Sequence, residues 1–251
     1  GTVALAHNGN LTNTADLLEM LREKYPDQTN NEITGGNTTD TAVLTALMAG
    51  DLDHTLEATA LELLPKVKGA FCLVFMDETT LYAARDPQGV RPLVLGRLER
   101  GWVIASETAA LDIVGASFVR EVEPGELIAI DENGLRSSKF ANVKRAGCVF
   151  EYVYLARPDS VISGISVYEA RLRLGDKLAD TIARYAPTDD IDVVMPIPDS
   201  ARPAAMQVAR KLGIEYREGF YKNKYIGRTF IMPGQAQRTK SVRQKLNAMS
   251  S

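Results

Sequence analysis

Cysteine is nearly absent from this chain of 251 residues: there are two, Cys72 and Cys148, 76 positions apart. That spacing excludes a local cysteine metal motif and fits reduced thiols in a cytoplasmic protein. Long apolar runs are missing too. No stretch approaches the roughly 18 residues needed to span a membrane, and no signal peptide opens the sequence, so no membrane partner is expected. Positive charge is not in excess. The net charge is −3, with 29 Lys and Arg against 32 Asp and Glu, and nothing argues for a nucleic-acid partner. The sequence opens on Gly1-Thr2-Val3-Ala4 without an initiator Met and stops at Ser251 beyond a basic stretch. Both ends are expected to be cuts in a longer chain.

What is present is an ordinary globular composition, 45% hydrophobic and 24% charged, enough for one large or two modest domains. The pattern changes at Cys148 to Ser160, CVFEYVYLARPDS, which is apolar and aromatic on its left and polar from Arg157 onward. Before it come short strands and hairpins with a few helices. After it come helix, strand, helix. A run this apolar at a change of pattern predicts packing at an interface between layers or domains.

Thr2 to Ala6 reads as a buried strand that ends in His7-Asn8-Gly9-Asn10. The residues alone leave that tetrad open between two readings. One is a turn, since Gly and Asn accept positive φ cheaply. The other is an oxyanion site, in which the Asn8 amide and the Gly9 N–H aim at one developing negative oxygen. Thr12 or Asn13 caps a helix that runs to Pro26 on Leu17, Leu18, Leu21 and Tyr25. Gly35-Gly36-Asn37-Thr38-Thr39-Asp40 opens another through Leu47, where Asp40 is either a cap or the partner of an amino acid's α-ammonium. A further helix is expected near Thr55 to Leu64. Strand pairs are predicted at 70–75 with 81–84, at 93–95 with 102–105, and at 118–122 with 127–130, with a turn at 131–134. Residues 85–93 read as a solvated loop, Ser106 as the cap of a short helix at 109–114, and Cys72 as a small hydrophobe in a strand. Many strands with tight turns and a few helices argue an α+β layered domain.

In the second half, Ser166 caps a helix over 167–185 whose apolar face is Leu172, Leu174, Leu178 and Ile182. Residues 191–198 read as a buried strand emerging into Asp199-Ser200, followed by a helix with Ala204, Ala205, Val208 and Leu212. Strand, polar loop, helix is where α/β proteins place phosphate or metal ligands, although Asp199 or Ser200 serves equally as a helix cap. Between Lys222 and Lys245 lie seven Lys or Arg. This stretch is either a solvated basic loop or a site for a polyanion such as pyrophosphate.

Taken together, these strings resemble one enzyme family. HNGN at 7–10, TTD at 38–40, RDPQGVRPL at 85–93 and ASET at 105–108 are similar to the N-terminal-nucleophile glutaminase domain. The 148–160 junction, PIPDS at 196–200, KNKYIGRTFI at 222–231 and SVRQKLN at 241–247 resemble the glutamine phosphoribosylpyrophosphate amidotransferase family. The resemblance implies an α+β glutaminase domain of layered αββα form over residues 1–145, N-terminally incomplete. Part of an α/β phosphoribosyltransferase domain would follow over residues 146–251. The implied reaction is glutamine-dependent amination of phosphoribosylpyrophosphate to 5-phosphoribosylamine, the first committed step of purine synthesis. Ammonia would pass internally, with Tyr154 and Leu155 helping to line its route.

The same resemblance assigns roles. Asn8 and Gly9 would form the oxyanion hole, and Asp40 would hold the glutamine amino group. Tyr225, Arg228 and Lys245 would belong to a lid that closes over phosphoribosylpyrophosphate, and Ser200 would lie near Mg²⁺. Cys148 matches a ligand of the iron–sulfur cluster that some members carry and others lack; one cysteine alone cannot hold it. A cytoplasmic homo-oligomer, a tetramer by family resemblance, is expected. The family's nucleophilic N-terminal Cys, an Arg upstream of HNGN and the C-terminal ribose-phosphate loop find no counterpart here, so the fragment itself is expected to be inactive. The alternative is a non-catalytic regulator that binds phosphoribosylpyrophosphate.

Overall fold

The computed structural model describes residues 2–28, 38–186, 188–227, 229 and 234–249, and forms two compact units, Gly1–Val149 and Phe150–Ser251. The first unit runs β1 (Ala4–Leu11), α1 (Thr14–Lys24), α2 (Asp40–Gly50), α3 (Leu56–Leu63), β2 (Gly69–Met76) and β3 (Leu81–Arg85). It continues through β4 (Val94–Leu98), β5 (Gly101–Ala105), α4 (Thr108–Ile113), β6 (Ser117–Glu121), β7 (Glu126–Asp131) and β8 (Gly134–Lys139). The strands form two antiparallel sheets, ordered β1-β2-β3-β7-β8 and β5-β4-β6.

The period-two alternation of β2, β3 and β7 builds the layers. Phe71, Leu73, Phe75, Tyr82, Ala84, Leu127 and Ala129 face a core shared with α1, α2 and α3. Cys72, Ala83 and Ile128, one residue out of step, pack instead with Leu95 of the second sheet and with Leu93 and Val122, which flank its strands. The outer side of that sheet is closed by Leu111 of α4 against Val94. The order is therefore helices, sheet, sheet, helix, the αββα arrangement. Burying each Leu or Phe in these cores contributes roughly 1.5–3 kcal/mol, and sheets covered on both faces account for the apolar reading of β2 and β7.

Several local expectations change. HNGN is not a turn: β1 continues through it to Leu11, because every residue of the tetrad is paired in register with Phe71, Cys72, Leu73 or Ala70. The predicted pair at 118–122 and 127–130 does not form. β6 joins β4 and β7 joins β3 and β8, since Pro124-Gly125 carries the chain from one sheet to the other. The loop at 85–93 is not solvated. Arg85 and Asp86 are buried, Arg85 donating to the carbonyls of Arg91, Gly89 and Val122 and to Glu121. Asp86 accepts from the N–H groups of Phe71, Gln88 and Val90. Burial nonetheless pushes the Asp86 carboxyl above its ordinary value, the hydrogen bonds offsetting it only in part. Ser106 does not cap α4, whose N-cap position is Glu107.

The second unit opens with a π-helical turn at Glu151–Leu155, then a hairpin of β9 (Val161–Ile162) and β10 (Ile165–Ser166). Long helix α5 (Val167–Tyr185) follows, with the Ser166 hydroxyl accepting from Glu169 N–H as expected. Then come β11 (Val193–Val194), α6 (Arg202–Leu212), β12 (Glu215–Tyr216), β13 (Phe220–Lys222), α7 (Gln235–Lys245) and β14 (Leu246–Ala248). β11 and β12 are parallel around α6, and β13 and β14 are antiparallel.

Two expectations fail here. The buried side of α5 is Val167, Arg171, Gly175 and Ala179, while Leu174 and Leu178 are 41% and 50% exposed. Close approach decides this: a Cβ on Gly175 would lie 2.5 Å from the Ala204 carbonyl oxygen, so α5 meets α6 along its small residues. The strand at 191–198 shrinks to Val193–Val194, with Ile191, Met195 and Ile197 exposed, because β12 is its one paired neighbour among the described residues.

Candidate functional site

Each unit carries its own candidate site. In the first, β1 is the outer strand of its sheet among the described residues. Its Leu11 N–H donates to Asp40 Oδ2 at 3.2 Å rather than to β2. Alternation along an antiparallel strand turns the Gly9 N–H to the same open side. Asn8 and Gly9 are exposed, on opposite faces of β1, so they can converge on one atom only across that open edge. Gly9 has φ of 152°, and a Cβ there would sit 2.0 Å from the Ala70 carbonyl oxygen. Only glycine fits.

Asp40 begins α2 but does not cap it; the cap is Thr39, whose hydroxyl accepts from Ala42 N–H at 3.2 Å. Asp40 Oδ1 instead takes the Thr41 N–H at 2.8 Å, and Oδ2 takes the Leu11 N–H. A carboxylate has about four acceptor positions. The side chain is 21% exposed, so acceptor capacity remains on the solvent side. Residues 29–37, including Gly35, Gly36 and Asn37 of the loop before α2, lie outside the described residues. Sequence reasoning missed His7. Its side chain is 2% exposed, with Nδ1 3.5 Å from Asp40 Oδ1 and from Thr41 Oγ1. A histidine among Asn and Gly carries no periodic signal of burial; the contact exists only because α2 packs over β1.

In the second unit a cleft of about 580 Å³ opens where the β11–α6 loop, β13 and the π-helical turn meet. Its walls carry six cationic side chains, Arg157, Arg171, Arg202, Lys222, Lys224 and Lys245, against one carboxylate, Asp199. Ser200 and Lys245, singled out from sequence, line it; Tyr225 does not, and is 97% exposed. Arg228 lies outside the described residues. Asp199 and Ser200 do not cap α6, whose N-cap is Ala201. Asp199 pairs with Lys222 at 2.5 Å and with Arg202 at 2.7 Å. Burial raises its carboxyl, but the Lys222 and Arg202 charges outweigh it and hold the pKa below the ordinary value. Tyr216, half-buried and donating to Glu218 at 2.7 Å, is pushed up to about 12 by partial burial and the Glu218 carboxylate. Lys245 Nζ reaches the Gly227 carbonyl at 3.0 Å and the Lys245 carbonyl accepts from Asn223 N–H at 2.8 Å, tying the end of the basic stretch to residues near its start. Arg171 is buried and clamps the carbonyls of Tyr152 and Ala156, both at 2.8 Å. No sequence pattern announces that clamp, since its partners lie 19 and 15 residues away.

For metals, no group of three or more His, Cys, Asp or Glu side chains converges among the described residues. Asp199 and Ser200 are nevertheless hard oxygen donors on the cleft wall. They fit Mg²⁺, which uses one or two protein oxygens together with water and phosphate. Among the described residues no four-thiolate site for an iron–sulfur cluster is assembled. Cys72 is buried with Sγ 3.5 Å from the Arg91 and Pro92 carbonyl oxygens, and Cys148 alone cannot supply four thiolates. No described helix is long and apolar enough to cross a membrane.

Residues 1–113 match the family model described as a glutamine amidotransferase domain. The chain is 57% identical over 248 residues to an amidophosphoribosyltransferase of Mycobacterium tuberculosis, covering 98% of this chain and 46% of that one. Against the amidophosphoribosyltransferase of Bacillus subtilis it is 43% identical over 250 residues, covering 99% and 50%. Among solved structures, the B. subtilis glutamine phosphoribosylpyrophosphate amidotransferase complexed with ADP and GMP aligns with TM-score 0.79 at 42% identity, over 99% of this chain and 52% of that one. A structure described as the allosteric regulatory enzyme of purine biosynthesis aligns with TM-score 0.80, also at 42% identity, over 98% and 51%. The fold is thus that of the N-terminal-nucleophile glutamine amidotransferases followed by part of a further domain. The chain spans about half the length of the curated relatives it matches and, aligned along 98% of its own, belongs to the amidophosphoribosyltransferase family.

Proposed function

We propose that the protein aminates phosphoribosylpyrophosphate to 5-phosphoribosylamine with nitrogen taken from glutamine, the opening step of purine synthesis. Residues 1–145 form the glutamine-using domain and 146–251 belong to the phosphoribosyltransferase domain. The observation that carries this reading is the cleft of the second unit, where six cations face one carboxylate. Such an excess of positive charge around one cleft suits a pyrophosphate group, and arginine adds bidentate geometry.

In the first unit, the Asn8 amide and the Gly9 N–H supply the oxyanion donors. Asp40, with acceptor capacity left on its exposed side, receives the glutamine α-ammonium. In the second, Lys224 and Lys245 hold the pyrophosphate, and Tyr225 and Arg228 belong to the segment that closes over it and excludes water. Asp199 and Ser200 would stand beside Mg²⁺, which when bound neutralises charge on the departing pyrophosphate. A chain with two cysteines and no local cysteine motif fits a cytoplasmic setting, and the enzyme works as a homo-oligomer.

The test is steady-state kinetics on the natural full-length protein, following pyrophosphate release. Asp40→Asn should raise the glutamine KM by about a hundredfold, the worth of a charge-assisted hydrogen bond. Lys245→Ala should raise the phosphoribosylpyrophosphate KM by about tenfold, whether glutamine or ammonia is the nitrogen source. Absence of any glutamine-dependent pyrophosphate release would sink the reading.

A further inference from the structure

His7 joins the two parts of the first site that the proposed chemistry keeps separate. Its imidazole lies between Asp40 and Gly9. Nδ1 is 3.5 Å from both Asp40 Oδ1 and Thr41 Oγ1. Nε2 points the other way and lies 3.0 Å from where a Cβ on Gly9 would be. The ring therefore fills the space that Gly9 leaves, on one side, and abuts the carboxylate on the other.

A histidine kept only for packing would have both nitrogens matched. Here Nε2 is buried and has no hydrogen-bond partner among the described residues. An unpaired polar atom in the interior is unfavourable, so an apolar ring of the same size would pack at no disadvantage. What the apolar ring could not do is face Asp40 with a donor. The Asp40 carboxylate is held at Oδ2 by Leu11 N–H and at Oδ1 by Thr41 N–H. Nδ1 approaches Oδ1, at a distance that ligand binding commonly tightens.

We propose that His7 is a positioning residue for the glutamine site: its Nδ1 fixes the rotation of the Asp40 carboxylate so that the remaining acceptor capacity faces the α-ammonium. This rests on the glutamine reading of the first unit. The carboxylate touches the substrate; His7 acts through it.

The experiment compares His7→Phe, His7→Asn and Asp40→Asn in the natural full-length protein, measuring glutamine KM and kcat and the thermal midpoint. His7→Phe should keep or raise the midpoint while glutamine KM rises about tenfold and kcat changes by less than about threefold. His7→Asn places an amide N–H near the Nδ1 position and should return KM to within about threefold of wild type. If His7→Phe leaves KM within that same margin while Asp40→Asn raises it, His7 has no positioning role and the glutamine site stands. If both His7 variants lower the midpoint and raise KM equally, the role is packing alone and the proposal is overturned. An Asp40→Asn variant with unchanged KM overturns the glutamine reading itself, and this inference with it. Should His7→Phe fail to fold, His7→Gln, which carries its amide too far to reach Asp40 in the same way, takes its place and must raise KM where His7→Asn does not.

Discussion

At Glu126 the environment of a single carboxyl has a measurable consequence. The side chain is 5% exposed and bonds Arg120 through both oxygens at 2.7 and 2.8 Å, with Ser137 Oγ at 2.5 Å and Glu123 N–H at 2.7 Å. Burial raises its pKa, but the Arg120 guanidinium, the Ser137 hydroxyl and the Glu123 N–H together lower it further, so the net shift is downward. A carboxyl whose folded pKa lies below its unfolded one stabilises the fold above the unfolded value of 4.5, and that contribution is lost as pH falls through the folded value. Glu126→Gln should therefore be less stable than wild type by about 1–3 kcal/mol at neutral pH, with the gap closing in acid. Equilibrium denaturation at pH 7 and pH 3 checks it, and parallel curves would contradict it. Glu126 was invisible in the sequence, one acid among thirty-two Asp and Glu. Gly9 and Asp40 were visible because their neighbours form strings that resemble a family. Asp40 as a cap was the wrong alternative, and the structure shows why: Thr39, one residue earlier, already satisfies the helix end.

Helix α5 shows how an element can be placed correctly and turned wrongly. Its span, its Ser166 cap and its length follow from local rules. Its packed face does not, because periodicity ranks Leu above Gly while helix contact selects the residue that lets backbones approach. Gly175 lies against the Ala204 carbonyl, and the Gln207 Cβ would be 3.0 Å from an added methyl. Gly175→Ala gains helix propensity worth about 1 kcal/mol but must push α6 away. We expect the overpacking to win, with a net loss of about 1–3 kcal/mol read as a lower thermal midpoint. A higher midpoint would mean that α6 yields without cost. The same lesson applies to β6 and β7. Two adjacent apolar segments with turn residues between them read as a hairpin, yet Gly125 N–H bonds the carbonyls of Arg85 and Asp86 and sends β7 into the other sheet. No local pattern encodes which sheet a strand will join.

At the scale of the molecule, net charge misleads about binding. The chain carries −3 overall, yet the second unit gathers six cations about one cleft. Over a screening length of about 8 Å at physiological salt, a ligand inside the cleft senses the local cluster rather than the total. Inorganic pyrophosphate should thus bind despite the acidic chain, and raising salt from about 0.05 to 0.5 M should weaken it by at least about tenfold. Lys224→Ala should flatten that dependence. Calorimetric titration at the two salt concentrations measures both, and salt-independent binding would argue against a charge-built site. The sequence by itself determined the helices and most strands, the break near residue 148, the family strings and the basic stretch, because propensity, capping and motif order are local properties of the chain. Only the tertiary structure decided which face of α5 is buried, which sheet takes β6 and β7, that Arg85 and Asp86 are interior, and that His7 reaches Asp40. Those outcomes depend on contacts between residues tens of positions apart, where shape and unsatisfied hydrogen-bonding groups, not local preference, choose among partners.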